Sequence, residues 1–240
     1  MRLHAHRAGV WAALLSALLA LMFAGCAPLV REPARAPAAG PAQFAEGYYR
    51  EAAAQGKPVY RVDAERSLVA IEVRRAGSLA RLGHDHVIAS HEVAGYVAPQ
   101  QGRADLYVEL ARLAVDEAAL RAEAGFETQP SASDIEGTRA NMLDKVLESS
   151  RFAYAEIALR GVDAGQRSAT LAVTLTLHGA TRTLQVPAQV EIDADQMSVT
   201  GHFSFEQTDF GITPYSLLGG AIAVRNAVDL RFRIVARRLP

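Results

Sequence analysis

Three of the seven histidines of this chain fall within Leu82-Gly83-His84-Asp85-His86-Val87-Ile88-Ala89-Ser90-His91. Histidine suits chemistry because neutral imidazole ligates metals and its charge changes near neutral pH. On an extended backbone His84 and His86 point to the same side, with Cα atoms about 6–7 Å apart. Two-histidine metal sites on strands use that spacing. A third ligand would have to come from Asp85 in a turn, or from His91, His178 or His202 through space. The plainest reading is that His84 and Asp85 satisfy backbone groups. The alternatives are a metal- or haem-linked site and a polar contact to the headgroup of an amphiphile.

The second chemically distinctive residue is Cys26, the only cysteine in the chain. A basic start with Arg2 and Arg7 precedes an uncharged apolar run from Val10 to Phe23. That run has the length of a signal-peptide core and is short of the roughly 20 residues that span a bilayer. It ends in Phe23-Ala24-Gly25-Cys26, small residues that a narrow peptidase pocket requires. The pattern resembles a lipobox, with Phe23 where an aliphatic residue usually stands. A lone thiol in an exported chain makes no internal disulfide, so acylation of Cys26 is its most economical use. Two acyl chains anchor a protein stably where one does so only marginally. The expected location is the envelope, in the periplasm and held to a membrane. Ala27 directly after the cysteine favours the outer membrane.

Other chemistry is missing. Twenty-five basic and 26 acidic residues give a net charge of −1, without the basic excess that marks nucleic-acid binding. No Gly-x-Ser-x-Gly elbow, phosphate loop or dinucleotide fingerprint occurs. Glu206 and Asp209 lie close together, but such carboxylates more often cap turns, and the expectation is a protein that is not an enzyme.

The elements that would position these residues follow from periodicity. Residues 27–43 are dominated by Pro and Ala and read as an extended tether with a reach of some tens of ångströms. Phe44, Tyr48 and Ala52 recur at helical spacing, predicting a short amphipathic helix that packs on the domain or on lipid. From Val59 the period is two. Leu171, Val173, Leu175 and Leu177 alternate with polar or small residues. So do Leu184, Val186, Ala188, Val190 and Ile192, then Met197, Val199, Phe203 and Phe205, then Val224, Val228, Leu230, Phe232 and Ile234. Each predicts a strand with one dry face. Further strands are expected near 59–63, 67–74, 93–98, 104–113 and 151–160. Turn signals stand at His178-Gly179-Ala180, Asp193-Ala194-Asp195 and Gly219-Gly220. Asp116 is the expected cap of a short helix through Ala124. Ile135, Met142, Leu143, Val146 and Leu147 form a helical stripe capped at Ser133 or Asp134. Eight or nine one-faced strands must stack as two sheets or close into a barrel, and about eight closed strands leave room for one small ligand. Ala188 and Gly201, small residues on dry faces, favour a cavity.

Four segments resemble one family. Tyr60-Arg-Val-Asp-Ala-Glu-Arg-Ser67 resembles the opening strand of YceI-like proteins, and Leu175-Thr-Leu-His-Gly-Ala-Thr-Arg-Thr-Leu-Gln-Val-Pro187 their central hairpin. Asp209-Phe-Gly-Ile212 resembles their late loop, and Asn141 to Ile157, with Leu147-Glu-Ser-Ser-Arg-Phe152, their helix-to-strand junction. The likeness runs from about Tyr60 to Arg237. Gly83-His84-Asp85-His86 departs from it, because family members commonly have an apolar or aromatic residue after that glycine; the chain is similar to a Gly-His-x-His subgroup.

The resemblance implies an all-β protein: an antiparallel lipocalin-like barrel of about eight strands with a helical insertion. It also implies an apolar tunnel for an isoprenoid or other amphipathic lipid, held without chemistry for storage or transport. Leu175, Val186, Phe203, Phe205 and Phe210 are the candidate contacts. The resulting plan is a signal peptide over 1–25, an acylated tether with a short helix over 26–57, and a barrel over 58–240. A barrel packed solid, acting as an interaction module, and a homodimer both stay open.

Overall fold

The computed structural model describes residues 40–161 and 167–240. Cys26, the leader and most of the tether lie outside the described residues. Among the described residues no helix is long and apolar enough to cross a membrane.

The alternating segments form the expected strands. Chain order gives β1 (Tyr60–Val62), β2 (Leu68–Val73), β3 (Arg75–Ala76), β4 (His86–Ser90), β5 (Val93–Ala98), β6 (Arg103–Glu109) and β7 (Ala114–Val115). It continues with β8 (Tyr154–Arg160), β9 (Ser168–Leu177), β10 (Ala180–Ile192), β11 (Gln196–Glu206), β12 (Ser216–Leu217), β13 (Ile222–Val224) and β14 (Ala227–Arg238). The antiparallel order β1-β5-β6-β8-β9-β10-β11-β14 closes on itself because β1 also pairs with β14, giving a barrel of eight strands. Closure leaves no free edge on this ring. β14 is long enough to hold β11 along one side and β2 then β1 along the other. β4 and β7 continue outward from β2. β3, β12 and β13 form a separate small sheet at the end where β14 begins.

Turn chemistry sets the hairpins. His178 and Gly179 both take left-handed backbone, φ 52° and 76°, as a tight two-residue hairpin requires. Asp193 accepts the Asp195 and Gln196 N–H groups at 2.9 and 2.6 Å, fixing the turn between β10 and β11. The run expected to join Val224 to Ile234 is broken at Arg225-Asn226, so Val224 belongs to the small sheet instead.

Among the described residues three α-helices pack on the barrel: α1 (Glu46–Ala54), α2 (Ala118–Glu123) and α3 (Ala132–Asn141), the last running on into one π-helical turn, Met142–Val146. α1 belongs to the same compact unit as the barrel. Its buried stripe is Tyr49 and Ala52, and Tyr48 is 38 % exposed, one position off the expected register. Tyr49 donates to Asp105 on the outer face of β6 at 2.6 Å and stacks on Tyr96 of β5. Burial, and then this carboxylate, push its pKa well above the usual tyrosine value. For α3 the cap is Ser131, not Ser133 or Asp134: Ser131 and Asp134 exchange side-chain and backbone hydrogen bonds in a capping box. Its stripe is as expected, with Ile135, Met142, Val146 and Leu147 packed on the main core.

Candidate functional site

The inward faces of the strands do not meet. They enclose a cavity of about 650 Å³ that runs along the barrel, within the range of small-molecule sites. Leu175, Val186, Phe203 and Phe205 all line it, as expected from their dry faces. Phe210 does not. It is fully buried, edge-on to the Phe205 ring at 5.3 Å, and braces the wall from behind. The space attributed to Gly201 is filled too: a Cβ there would lie 2.7 Å from the ring of Phe232, its cross-strand partner. Ala188 is likewise buried within the wall. Val173, Phe203 and Leu230 line the void, Phe203 and Leu230 side by side on the paired strands β11 and β14.

Polar groups gather at one end, where β4 begins, β11 ends and α3 lies alongside. His84 and His86 both line the cavity there, ring centroids 6.2 Å apart. His86 Nδ1 lies 2.6 Å from Asp116 Oδ2. Asp116 is buried and takes left-handed backbone, φ 57°, which Asp tolerates. Rather than capping α2, its carboxylate reaches across to β4. It accepts the Val87 N–H at 3.0 Å and Arg121 at 2.6 Å. Burial alone would raise its pKa, but the bonds from His86, Val87 and Arg121 outweigh that and hold it below the ordinary value. An ionised carboxylate only accepts, so His86 Nδ1 carries a proton and Nε2 is the nitrogen left for a ligand. Arg121, itself buried, also donates to the Asp85 carbonyl at 2.6 Å.

The other expected partners of the histidines lie elsewhere. Asp85 accepts the Arg75 N–H at 2.8 Å. His91 pairs with Glu117, and His178 with Glu148 beneath the Phe152 ring. His202 is exposed on β11. Among the described residues no three His, Cys, Asp or Glu side chains are grouped to hold a metal ion, so His84 and His86 gain no third ligand. Glu206 and Asp209 are exposed and outside the cavity lining. The residues that sequence reasoning missed are Asp116 and Arg121. Asp116 read as a helix cap, Arg121 carried no signal, and nothing local showed that both serve β4.

The family model described as YceI-like domain matches residues 60–236. Among solved structures, a polyisoprenoid binding domain from Saccharophagus degradans implicated in plant cell wall breakdown superposes with a TM-score of 0.54. It is 15% identical, over 74% of this chain and 97% of that one. BcnA of Burkholderia cenocepacia gives a TM-score of 0.50 at 15% identity, covering 72% and 98%. No curated protein matches the sequence.

Proposed function

Because the chain belongs to the YceI-like domain family, we propose that it binds an isoprenoid or other amphipathic lipid in the barrel cavity, for storage or transport in the cell envelope. One observation carries this: an unfilled apolar cavity of about 650 Å³ enclosed by the eight-stranded ring. Each methylene moved from water into such a space contributes roughly 0.8 kcal/mol, so a hydrocarbon chain needs no covalent bond. The Saccharophagus neighbour, named for polyisoprenoid binding, has the same fold at 15% identity, which is consistent with an isoprenoid but does not select it. In this reading the apolar wall holds the ligand by burial, and the chain does no chemistry on it.

The protein is further proposed to be a lipoprotein, acylated at Cys26 and tethered in the periplasm, on the outer membrane. The lone cysteine and the residues before it support that. Organic extraction of protein purified from its native envelope, followed by mass spectrometry, tests the ligand. A stoichiometric isoprenoid or similar amphiphile is expected, and Val173→Trp, which puts bulk into the cavity, should reduce it severalfold. A native preparation without lipid, or full retention in that variant, overturns the reading. Cys26→Ala should weaken membrane retention strongly while the barrel keeps its ligand.

A further inference from the structure

The small sheet at the mouth does nothing for the closed ring, yet it is well built. β13 pairs with β3 and β12, and the Leu79 N–H donates to Ala221 at 2.8 Å. Gly77 passes so close that a Cβ would sit 2.4 Å from the Ala221 oxygen. This flap displays Leu82, Leu217 and Leu218, 60 %, 48 % and 73 % exposed. Gly83, next to Leu82, lies against Ile222, whose cross-strand partner is Leu217, so Leu82 lies near Leu217 and its chain neighbour Leu218 on the flap. Leu218 also takes left-handed backbone, φ 51°, a conformation that costs a bulky residue energy. Folding of the barrel gives no reason to hold a strained leucine in water. Leu82 and Leu217 line the cavity as well, so the exposed patch is continuous with the apolar interior.

Charge distinguishes the flap from an ordinary sticky patch. The stretches 74–84 and 215–226 that build it contain Arg74, Arg75, Arg81 and Arg225 and no acidic residue, with Glu72, Asp85, Asp209 and Asp229 close by in sequence. Arg74 bonds to Glu72, and Arg75 lies beside Asp85. Arg81 and Arg225 are exposed and make no ion pair among the described residues. An apolar tip with unpaired guanidinium groups beside it is complementary to an anionic bilayer, whose acyl boundary takes leucines and whose phosphates take arginines.

We propose that the flap is a membrane-docking lip: Leu82, Leu217 and Leu218 enter the interface of an anionic bilayer and Arg81 and Arg225 meet its phosphates, which turns the cavity mouth toward the leaflet. Docking stands on the surface alone. Its use as a portal rests on the cavity holding a lipid. The mouth then exchanges ligand with the leaflet without passing it through water, over His84 and His86.

The test uses the full chain with Cys26→Ala, so that acylation contributes nothing, and one new cysteine carrying an environment-sensitive dye. Leu218→Cys reports on the lip. Asp195→Cys reports on the opposite end of the barrel, where the Asp195 carbonyl is bonded near the end of β14. Vesicles of phosphatidylcholine, with or without phosphatidylglycerol, carry a doxyl lipid as quencher. The dye at 218 should be quenched on the anionic vesicles and the dye at 195 should not. Arg81→Glu with Arg225→Glu should weaken binding by about tenfold or more, most clearly at low salt. Equal quenching at both positions would mean that the leader alone binds, and overturns the lip. So does an unquenched dye at 218 in a chain that light scattering shows to be a dimer, where the leucines meet a second copy. Extracted lipid with no quenching at 218 removes the lip and keeps the cavity reading, while quenching with a native cavity free of lipid does the reverse.

Discussion

Along the wall from β9 to β14, position follows from alternation. Val173, Leu175, Val199, Phe203 and Leu230 face inward because every second residue must, and a hydrophobic interior asks only that they be apolar. At the mouth nothing is periodic. His86 is oriented by Asp116, Asp116 is neutralised by Arg121, and Arg121 reaches the backbone of Asp85. The wall therefore tolerates change by degrees, whereas the mouth is a linked set in which losing one member strands the rest. The two regions should respond differently to the same kind of mutation.

The largest difference is expected at Asp116. Asp116→Ala leaves Arg121 buried without its counter-charge, and breaking such a pair costs about 3–5 kcal/mol. Urea unfolding measures it. Asp116→Asn combined with Arg121→Met removes both charges while keeping a residue that tolerates the left-handed backbone at 116, and should recover much of the loss. A cost no greater than that of an exposed substitution would mean that the mouth is as forgiving as the wall. Within the wall, Phe210→Ala should cost about 3–5 kcal/mol, because it opens a hole in packed core. Phe203→Ala enlarges a space that already exists and should cost only about 1–2 kcal/mol, but it should release bound lipid faster. Equal stability losses at 203 and 210 would indicate that the barrel is filled.

Acid sharpens the same contrast. Asp116 has a folded pKa below its ordinary value of 3.8. Its contribution is therefore fully present above that ordinary value and is lost as pH falls through the lower folded one. The stability difference between the native chain and Asp116→Asn should be constant above about pH 5 and shrink on acidification. Phe210→Ala carries no such pH dependence. A difference that grew toward low pH would reverse the assignment of Asp116 as an ionised acceptor.

This division also explains what could be read from sequence. β5, β9, β10 and β11 were legible because alternation is local; alternation left two stacked sheets or a barrel open, and the resemblance to YceI-like proteins pointed to the barrel. β4 was not, since its first residue is His86 and its run of Val87-Ile88-Ala89-Ser90 is buried nearly throughout, which erases the period of two. Asp116 read as a helix cap because its true partners are about thirty residues away in sequence. Gly201 suggested a hollow that Phe232 fills, for small residues reveal space only once their cross-strand neighbours are known. The histidine pair was visible from spacing, but its orientation depends on the two residues that spacing could not connect to it.

The smallest expected effect lies where wall and mouth meet. α3 flanks the cavity with Gly137, Thr138 and Asn141, yet none of its own residues is fully buried. A helix so placed is held mainly by its capping box and by the core contacts of Ile135 and of the π-helical turn that follows. It should open locally at lower free energy than the sheet it covers. Ser131→Ala removes the cap, worth about 1 kcal/mol. Hydrogen exchange of amides in 135–141 should then quicken about fivefold while β9, β10 and β11 stay protected. Global unfolding should hardly move, because the barrel closes without α3. If those amides instead slowed and quickened in step with the sheet, α3 would be part of the wall, and the mouth would have no side that opens independently of it.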